Sequence, residues 1–344
     1  MIREAGFWKS LEGARVSCFL CAHRCLVAPG KTGICGVRKN DAGRLMTRAY
    51  GEAVAAHIDP IEKKPLFHFL PGSTSLSLAA AGCNFRCSFC QNWRISQATK
   101  KGSPGDPEAF PLAPEDAVRQ AEVRGCKSLS YTYTEPTIFY EYARDMGRLA
   151  RERRLGNVFV TNGYQTPEVL EDAATWLDAA NVDLKFFDDR TYQKICGARL
   201  EPVCETIRRL FSLGIWIEIT TLVVPGLNDS EEELGRIAGF IAGVDSGIPW
   251  HVSRYHPDYV YNDSPPTPHS VLRRARVLGQ AAGLRYIYIG NVPGEGEDTV
   301  CHACGTTLVA RRGFRVLSFR IQDGRCPDCR TPVSGVFPPG REDS

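Results

Sequence analysis

Three cysteines, Cys83, Cys87 and Cys90, spaced C-x3-C-x2-C within "AAAGCNFRCSFCQNW", constrain this chain more than any other feature. Four thiolates close a metal site, whereas three leave one coordination position for something else. The preceding run "STSLSLAAAG" reads as a buried strand, so the cysteines begin where that strand ends. In sheets of parallel strands, chemistry gathers at the carboxyl ends. Iron–sulfur cubes normally take four thiolates, and three local ones leave one iron of a [4Fe–4S] cluster open to an outside ligand. The competing reading is a structural zinc with His68 as its fourth ligand.

The chain has 14 cysteines among 344 residues, and eleven of them fall into three tight sets. Cysteines two or three residues apart direct their sulfurs at one metal more often than they pair with each other. The opening "MIREAGFWKSLEG" lacks an apolar stretch followed by a small-residue cleavage site, and no run reaches the ~18 apolar residues of a membrane span. The expectation is a cytoplasmic protein with metal sites rather than disulfides. A formal net charge of +3 gives no bulk attraction to nucleic acid or membrane.

The terminal set, Cys301, Cys304, Cys326 and Cys329, repeats C-x2-C around the hairpin-like "TLVARRGFRVLSFRI", which predicts a zinc ribbon. Its arginines (Arg311, Arg312, Arg315 and Arg320) offer a nucleic-acid reading, but stabilisation of a lobe too small for its own core is favoured. The front set, Cys18, Cys21, Cys25 and Cys35, has His23 as a fifth donor. Zinc is expected there, and a second [4Fe–4S] cluster relaying electrons is the alternative. Cys126, Cys196 and Cys204 read as small buried hydrophobes. For Cys196 the other reading is a hydrogen-atom donor or cluster ligand overhanging the site.

Between the two terminal sets, apolar strand-like runs alternate with helical patterns. The runs are "STSLSLAAAG", "KSLSYTYTE", "GNVFVTNG", "ANVDLKFF", "GIWIEITTLVVPG" and "PWHVSRYHP". Helices are predicted over 114–124, 138–153, 166–177, 202–213 and 230–242. Six strand–helix units predict an α/β fold, a partial (β/α)6 barrel, with a doubly wound open sheet as the alternative. The expected organisation is a cysteine-rich metal-binding lobe over 1–60, the barrel over 61–295 and the ribbon lobe over 296–344. "ATKKGSPGDPEAFPLAPED" reads as a surface loop and "PPGREDS" as a frayed tail.

The cysteine motif after a first barrel strand, with the aromatic Phe89 before its last cysteine, resembles the radical S-adenosylmethionine superfamily. "CFLCAHRC", "GICGVR", "DPIEKKPLFHFLPGS", "CQNW" and the terminal cysteine pairs make the chain similar over nearly its whole length to the radical enzymes of the AmmeMemoRadiSam system, relatives of pyruvate formate-lyase activating enzymes. That resemblance implies a [4Fe–4S] cluster on Cys83, Cys87 and Cys90. S-adenosylmethionine on the open iron is cleaved reductively to a 5′-deoxyadenosyl radical that abstracts hydrogen. It implies cofactor contacts from Phe89, from Thr134 and Glu135 in "YTYTEP", from Asn162 in "TNGY", from Asp183 in "DLK" and from Val223 and Pro225 in "VVPG". Lys185 and His251 are the further catalytic candidates, with His256 beside them. The plainer readings are a helix cap for Glu135, an ion pair for Asp183 and Lys185, and a structural role for each histidine. The implied partners are a protein or small-molecule substrate, an electron donor such as flavodoxin or ferredoxin, and MEMO-type and AMMECR-type proteins.

Overall fold

A computed structural model describes residues 2–100 and 107–338 of the chain. At its centre lies one eight-stranded sheet. Strand β1 (Ala55–Pro60) runs antiparallel along one edge of β2 (Thr74–Ala79). Six more strands then follow in chain order, each parallel to the last: β3 (Ser128–Tyr131), β4 (Gly156–Thr161), β5 (Ala179–Asp183), β6 (Trp216–Val223), β7 (Trp250–Arg254) and β8 (Ile287–Gly290). A doubly wound sheet reverses its strand order at a switch point. This order never reverses, so the sheet is wound in one direction, as in a barrel, and stays open between β1 and β8.

Helices α1 (Pro114–Val123), α2 (Tyr140–Glu152), α3 (Pro167–Ala173), α4 (Leu200–Ser212), α5 (Glu231–Val244) and α6 (His269–Ala281) form the crossovers. Their starts follow the local chemistry. Pro114 opens α1 ahead of Glu115 and Asp116, and the Ser230 hydroxyl caps α5 by accepting from the Glu233 amide at 3.2 Å. The six expected strands and five expected helices all occur. The structure adds β8, a seventh parallel strand of four residues, together with α6 and the antiparallel β1.

Residues ahead of β1 form two small antiparallel sheets, 3–4/44–47/38–41 and 8–10/16–18/26–27. A buried Arg38–Glu141 ion pair fixes this front lobe to α2. Residues after β8 form a three-stranded antiparallel sheet, 299–300/307–312/315–319. Arg311 belongs to this lobe and is only 5% exposed. Its guanidinium lies 4.3 Å from the Phe67 ring centroid and donates to the Phe67 carbonyl at 2.7 Å. It therefore anchors the lobe and is unavailable to nucleic acid, contrary to the basic-surface reading. Residues 101–106 of the expected surface loop and 339–344 of the expected tail lie outside the described residues. Among the described residues no helix is long and apolar enough to cross a membrane.

Candidate active site

The loop carrying Cys83, Cys87 and Cys90 leaves the carboxyl end of β2 and crosses the top of the sheet. It starts at Gly82, with φ +108°, where an added Cβ would sit 2.9 Å from the Thr99 hydroxyl and 3.0 Å from Val37. Only glycine lets the backbone pass that close. The Phe85 amide donates to Cys83 Sγ at 3.3 Å, and Cys90 Sγ lies 3.2 Å from the Ser96 hydroxyl. Burial and the nearby Glu135 carboxylate push the Cys83 thiol up. Neighbouring Cys196 and burial raise Cys87, and burial raises Cys90. Thiols held this way surrender their protons only to a cation that repays the desolvation.

The other strand ends converge on the same loop. Asn162, just past β4, donates from Nδ2 to Asn84 Oδ1 at 2.7 Å and to Cys83 Sγ at 3.8 Å. Glu135, past β3, is fully buried. Its carboxylate accepts from the Thr137 amide at 3.0 Å, the Thr161 hydroxyl at 2.7 Å and the Asn162 amide at 2.8 Å. It caps the turn at Pro136 and ties the end of β3 to the end of β4. The Thr134 hydroxyl donates to the Ala80 carbonyl at 2.7 Å, beside the start of the cysteine loop.

Past β5, Lys185 Nζ meets Asp183 Oδ2 at 2.8 Å, the pair expected from their alternate spacing. Burial opposes the lysine charge, but Asp183, Cys87 and Cys196 outweigh it and raise Lys185. Phe89 is buried edge-on against Phe186, with ring centroids 6.0 Å apart. Val223 and Pro225 stand past the middle of the fan. The Pro225 carbonyl accepts from the Tyr261 hydroxyl at 3.1 Å, and the Tyr261 amide donates to the Ser88 carbonyl at 2.9 Å. The segment after β7 thus straps Pro225 to the cysteine loop.

His251 is placed differently from expectation. It is the second residue of β7, toward the amino end, and its Nε2 lies 2.7 Å from buried Glu218. His256 is the histidine on the cysteine side, 2.9 Å from the Gln91 side-chain amide. Glu218 also accepts from the Phe67 and His68 amides at 2.9 and 2.7 Å. The ring nitrogens of His68 sit 2.6 Å from the Ser334 carbonyl and 2.5 Å from the Tyr288 hydroxyl. With both nitrogens engaged in this cluster, His68 is not the fourth ligand of a zinc on the cysteine loop.

Cys196 is fully buried, as the small-hydrophobe reading expects. It lies in a π-helical turn, Tyr192–Cys196, a local irregularity frequent at functional sites. The Arg86 and Ser88 amides donate to the Cys196 and Ile195 carbonyls at 2.9 and 3.3 Å, which presses the turn onto the cysteine loop. Tyr192 was missed. Tyr192 donates no sequence signal beyond an aromatic residue, yet its hydroxyl accepts from the Lys185 amide at 3.1 Å.

The four terminal cysteines come together as one cluster. Their four Sγ atoms lie within 4.8 Å of one another, with Cys301–Cys329 and Cys304–Cys326 at 3.6 Å. Sulfurs ~2.3 Å from one tetrahedral ion lie roughly 3.8 Å apart, so the four can hold a single metal. Hydrogen bonds from Thr331 lower the Cys329 thiol to about 6. Among the described residues no other three potential ligand atoms gather that closely, and Cys83, Cys87 and Cys90 are spread more widely. A three-thiol set of that width suits a multi-iron cluster, in which each thiolate binds a different iron, better than it suits one ion.

The sequence profile of the radical SAM superfamily matches residues 78–238. An uncharacterized protein of Methanocaldococcus jannaschii is 44% identical over 98% of this chain and all of its own length. The isethionate sulfite-lyase activating enzyme of Oleidesulfovibrio alaskensis is 26% identical over 43% of this chain, which spans about half (48%) of that relative. Among solved structures, a radical SAM methyltransferase from Sphaerobacter thermophilus aligns with TM-score 0.51 at 18% identity, covering 70% of this chain and 71% of its own, a likeness of fold alone.

Proposed function

The chain belongs to the radical SAM superfamily, and on that premise we propose that it cleaves S-adenosylmethionine reductively and abstracts a hydrogen atom from a protein partner. The observation that carries this reading is the set of three well-separated thiols at the carboxyl end of β2, Cys83 and Cys87 buried and Cys90 partly so, bordered by the ends of β3, β4 and β5. When bound, a [4Fe–4S] cluster and S-adenosylmethionine supply the electron and the 5′-deoxyadenosyl radical.

The chain's residues do the holding. Cys83, Cys87 and Cys90 take the cluster. The Asn162 amide fixes the Cys83 sulfur. Glu135 and Thr134 would accept the methionine amine, a role compatible with the cap Glu135 already forms. The Lys185–Asp183 pair sets the charge beside Cys87, and Phe89 with Phe186 excludes water. Val223 and Pro225 would hold the adenine side. His251 acts through Glu218 as a support of the sheet, and His256 is the nearer proton carrier.

The activating-enzyme relatives favour a protein substrate over a metabolite, with a reduced one-electron carrier of the flavodoxin or ferredoxin kind as donor. MEMO-type and AMMECR-type proteins are the first partners to try. The terminal cysteines take zinc as a ribbon, and the free thiols fit a reducing cytoplasmic compartment.

Anaerobic turnover with deuterated cell fractions tests the substrate class. Deuterium entering 5′-deoxyadenosine from the protein fraction supports the proposal, and deuterium from the small-molecule fraction moves the substrate to a metabolite. Unlabelled 5′-deoxyadenosine from both overturns hydrogen abstraction.

A further inference from the structure

The front cysteines form a second metal centre whose identity the sequence left between zinc and iron. We propose that Cys18, Cys21, Cys25 and Cys35 hold an iron–sulfur cluster that passes electrons to the catalytic loop. Four thiols are a complete set for either metal, and His23, the other nearby donor, turns its Nε2 to the Asn84 carbonyl at 2.9 Å. The four cysteines converge, since Cys21 feels the charges of Cys18, Cys25 and Cys35, yet no three of their sulfurs lie within 4.8 Å of one another. The same molecule supplies the standard: the terminal four do close to that distance. Four thiolates on one ion must crowd together, whereas four thiolates on a cube each bind a different iron and stand apart.

The surroundings fit a redox group. Cys18 and Cys35 are buried, and the Arg38 guanidinium donates to Cys18 Sγ at 3.7 Å, beneath a negatively charged centre. Hydrogen bonds to sulfur are one of the levers that tune cluster potential. The position fits a relay. The Thr99 hydroxyl donates to the Cys35 carbonyl at 2.7 Å, and a Cβ on Gly82, next to Cys83, would lie 3.3 Å from that same carbonyl. His23 touches the backbone between Cys83 and Phe85. Lys100 lies within electrostatic reach of Cys35 and of all three loop cysteines. One electron from a reduced flavodoxin- or ferredoxin-type carrier would reduce the front cluster. The front cluster would be reoxidised as it reduces the catalytic one, so the carrier is the sole net reductant.

The test isolates the front set from the catalytic loop. The triple variant Cys83→Ala, Cys87→Ala, Cys90→Ala, reconstituted anaerobically with iron, sulfide and zinc, is expected to retain about four irons and four sulfides per chain and an electron paramagnetic resonance signal on reduction. Adding Cys21→Ser and Cys25→Ser should remove that iron while one zinc per chain and the circular dichroism of the folded protein remain. Iron absent from the triple variant, with two zincs per chain, overturns the proposal. So does iron that survives the two added serines. Because the catalytic cysteines are gone, neither outcome bears on S-adenosylmethionine cleavage.

Discussion

The front and terminal lobes use the same four donors and hold them differently. The terminal thiols come from two C-x2-C knuckles on a hairpin, lie close enough for one ion, and leave Cys304 and Cys329 exposed. The front thiols come from a strand, a bridge and a glycine-rich loop, stand farther apart, and press against the catalytic loop. The difference teaches that the number and type of donors do not choose the metal. Spacing in three dimensions and the distance to the reacting centre do.

Removing the metal from each lobe separates them most strongly. Cys304→Ser should unfold the terminal lobe, because binding a structural zinc contributes on the order of 10 kcal/mol to folding. Thermal unfolding should then show an early transition, while 5′-deoxyadenosine formation with a chemical reductant persists below it. Loss of that activity at temperatures where the sheet is intact would mean that the terminal lobe serves the chemistry directly.

The front lobe depends on a buried ion pair instead. Arg38→Met leaves Glu141 charged and unpaired, and should cost about 3–5 kcal/mol in denaturant unfolding. Adding Glu141→Leu should recover most of the loss, as expected when an apolar pair replaces a buried ionic one. If the double variant is as unstable as the single one, the pair has a role beyond neutralising its own charges.

Acid should act on the terminal side. Burial lowers His68 from 6.5 to about 4, so the unfolded chain takes up its proton first. Stability held at neutral pH is lost as pH falls from about 6.5 towards 4, by up to about 3 kcal/mol. The Glu218 carboxylate, whose burial is outweighed by His251 and the surrounding donors, is held below its ordinary value and loses its contribution at lower pH still. His68→Gln should flatten the upper part of this slope, and an unchanged slope would assign it to other groups.

The parts of the site that follow from local pattern were legible in the sequence. The cysteine loop, the residues closing β3 to β6 and the Asp183–Lys185 pair follow from motif spacing and from the two-residue period of a strand. What was hidden depends on pairing between distant segments. His251 looked like a residue at the mouth of the fold, but a strand's register fixes its height in the sheet, and its partner Glu218 is 33 residues away. Arg311 looked like surface charge, and its burial depends on Phe67 and Glu62, which precede it by more than two hundred residues. Cys196 reads as a small hydrophobe because nothing local announces the π-helical turn that sets it beside Cys87.

The most direct test of the catalytic assignment is the yield of 5′-deoxyadenosine from anaerobically reconstituted protein given S-adenosylmethionine and a reductant. The wild-type chain should form it, and Cys87→Ala should form none above background while keeping its fold and its terminal zinc. Equal yields from the two proteins would contradict the account.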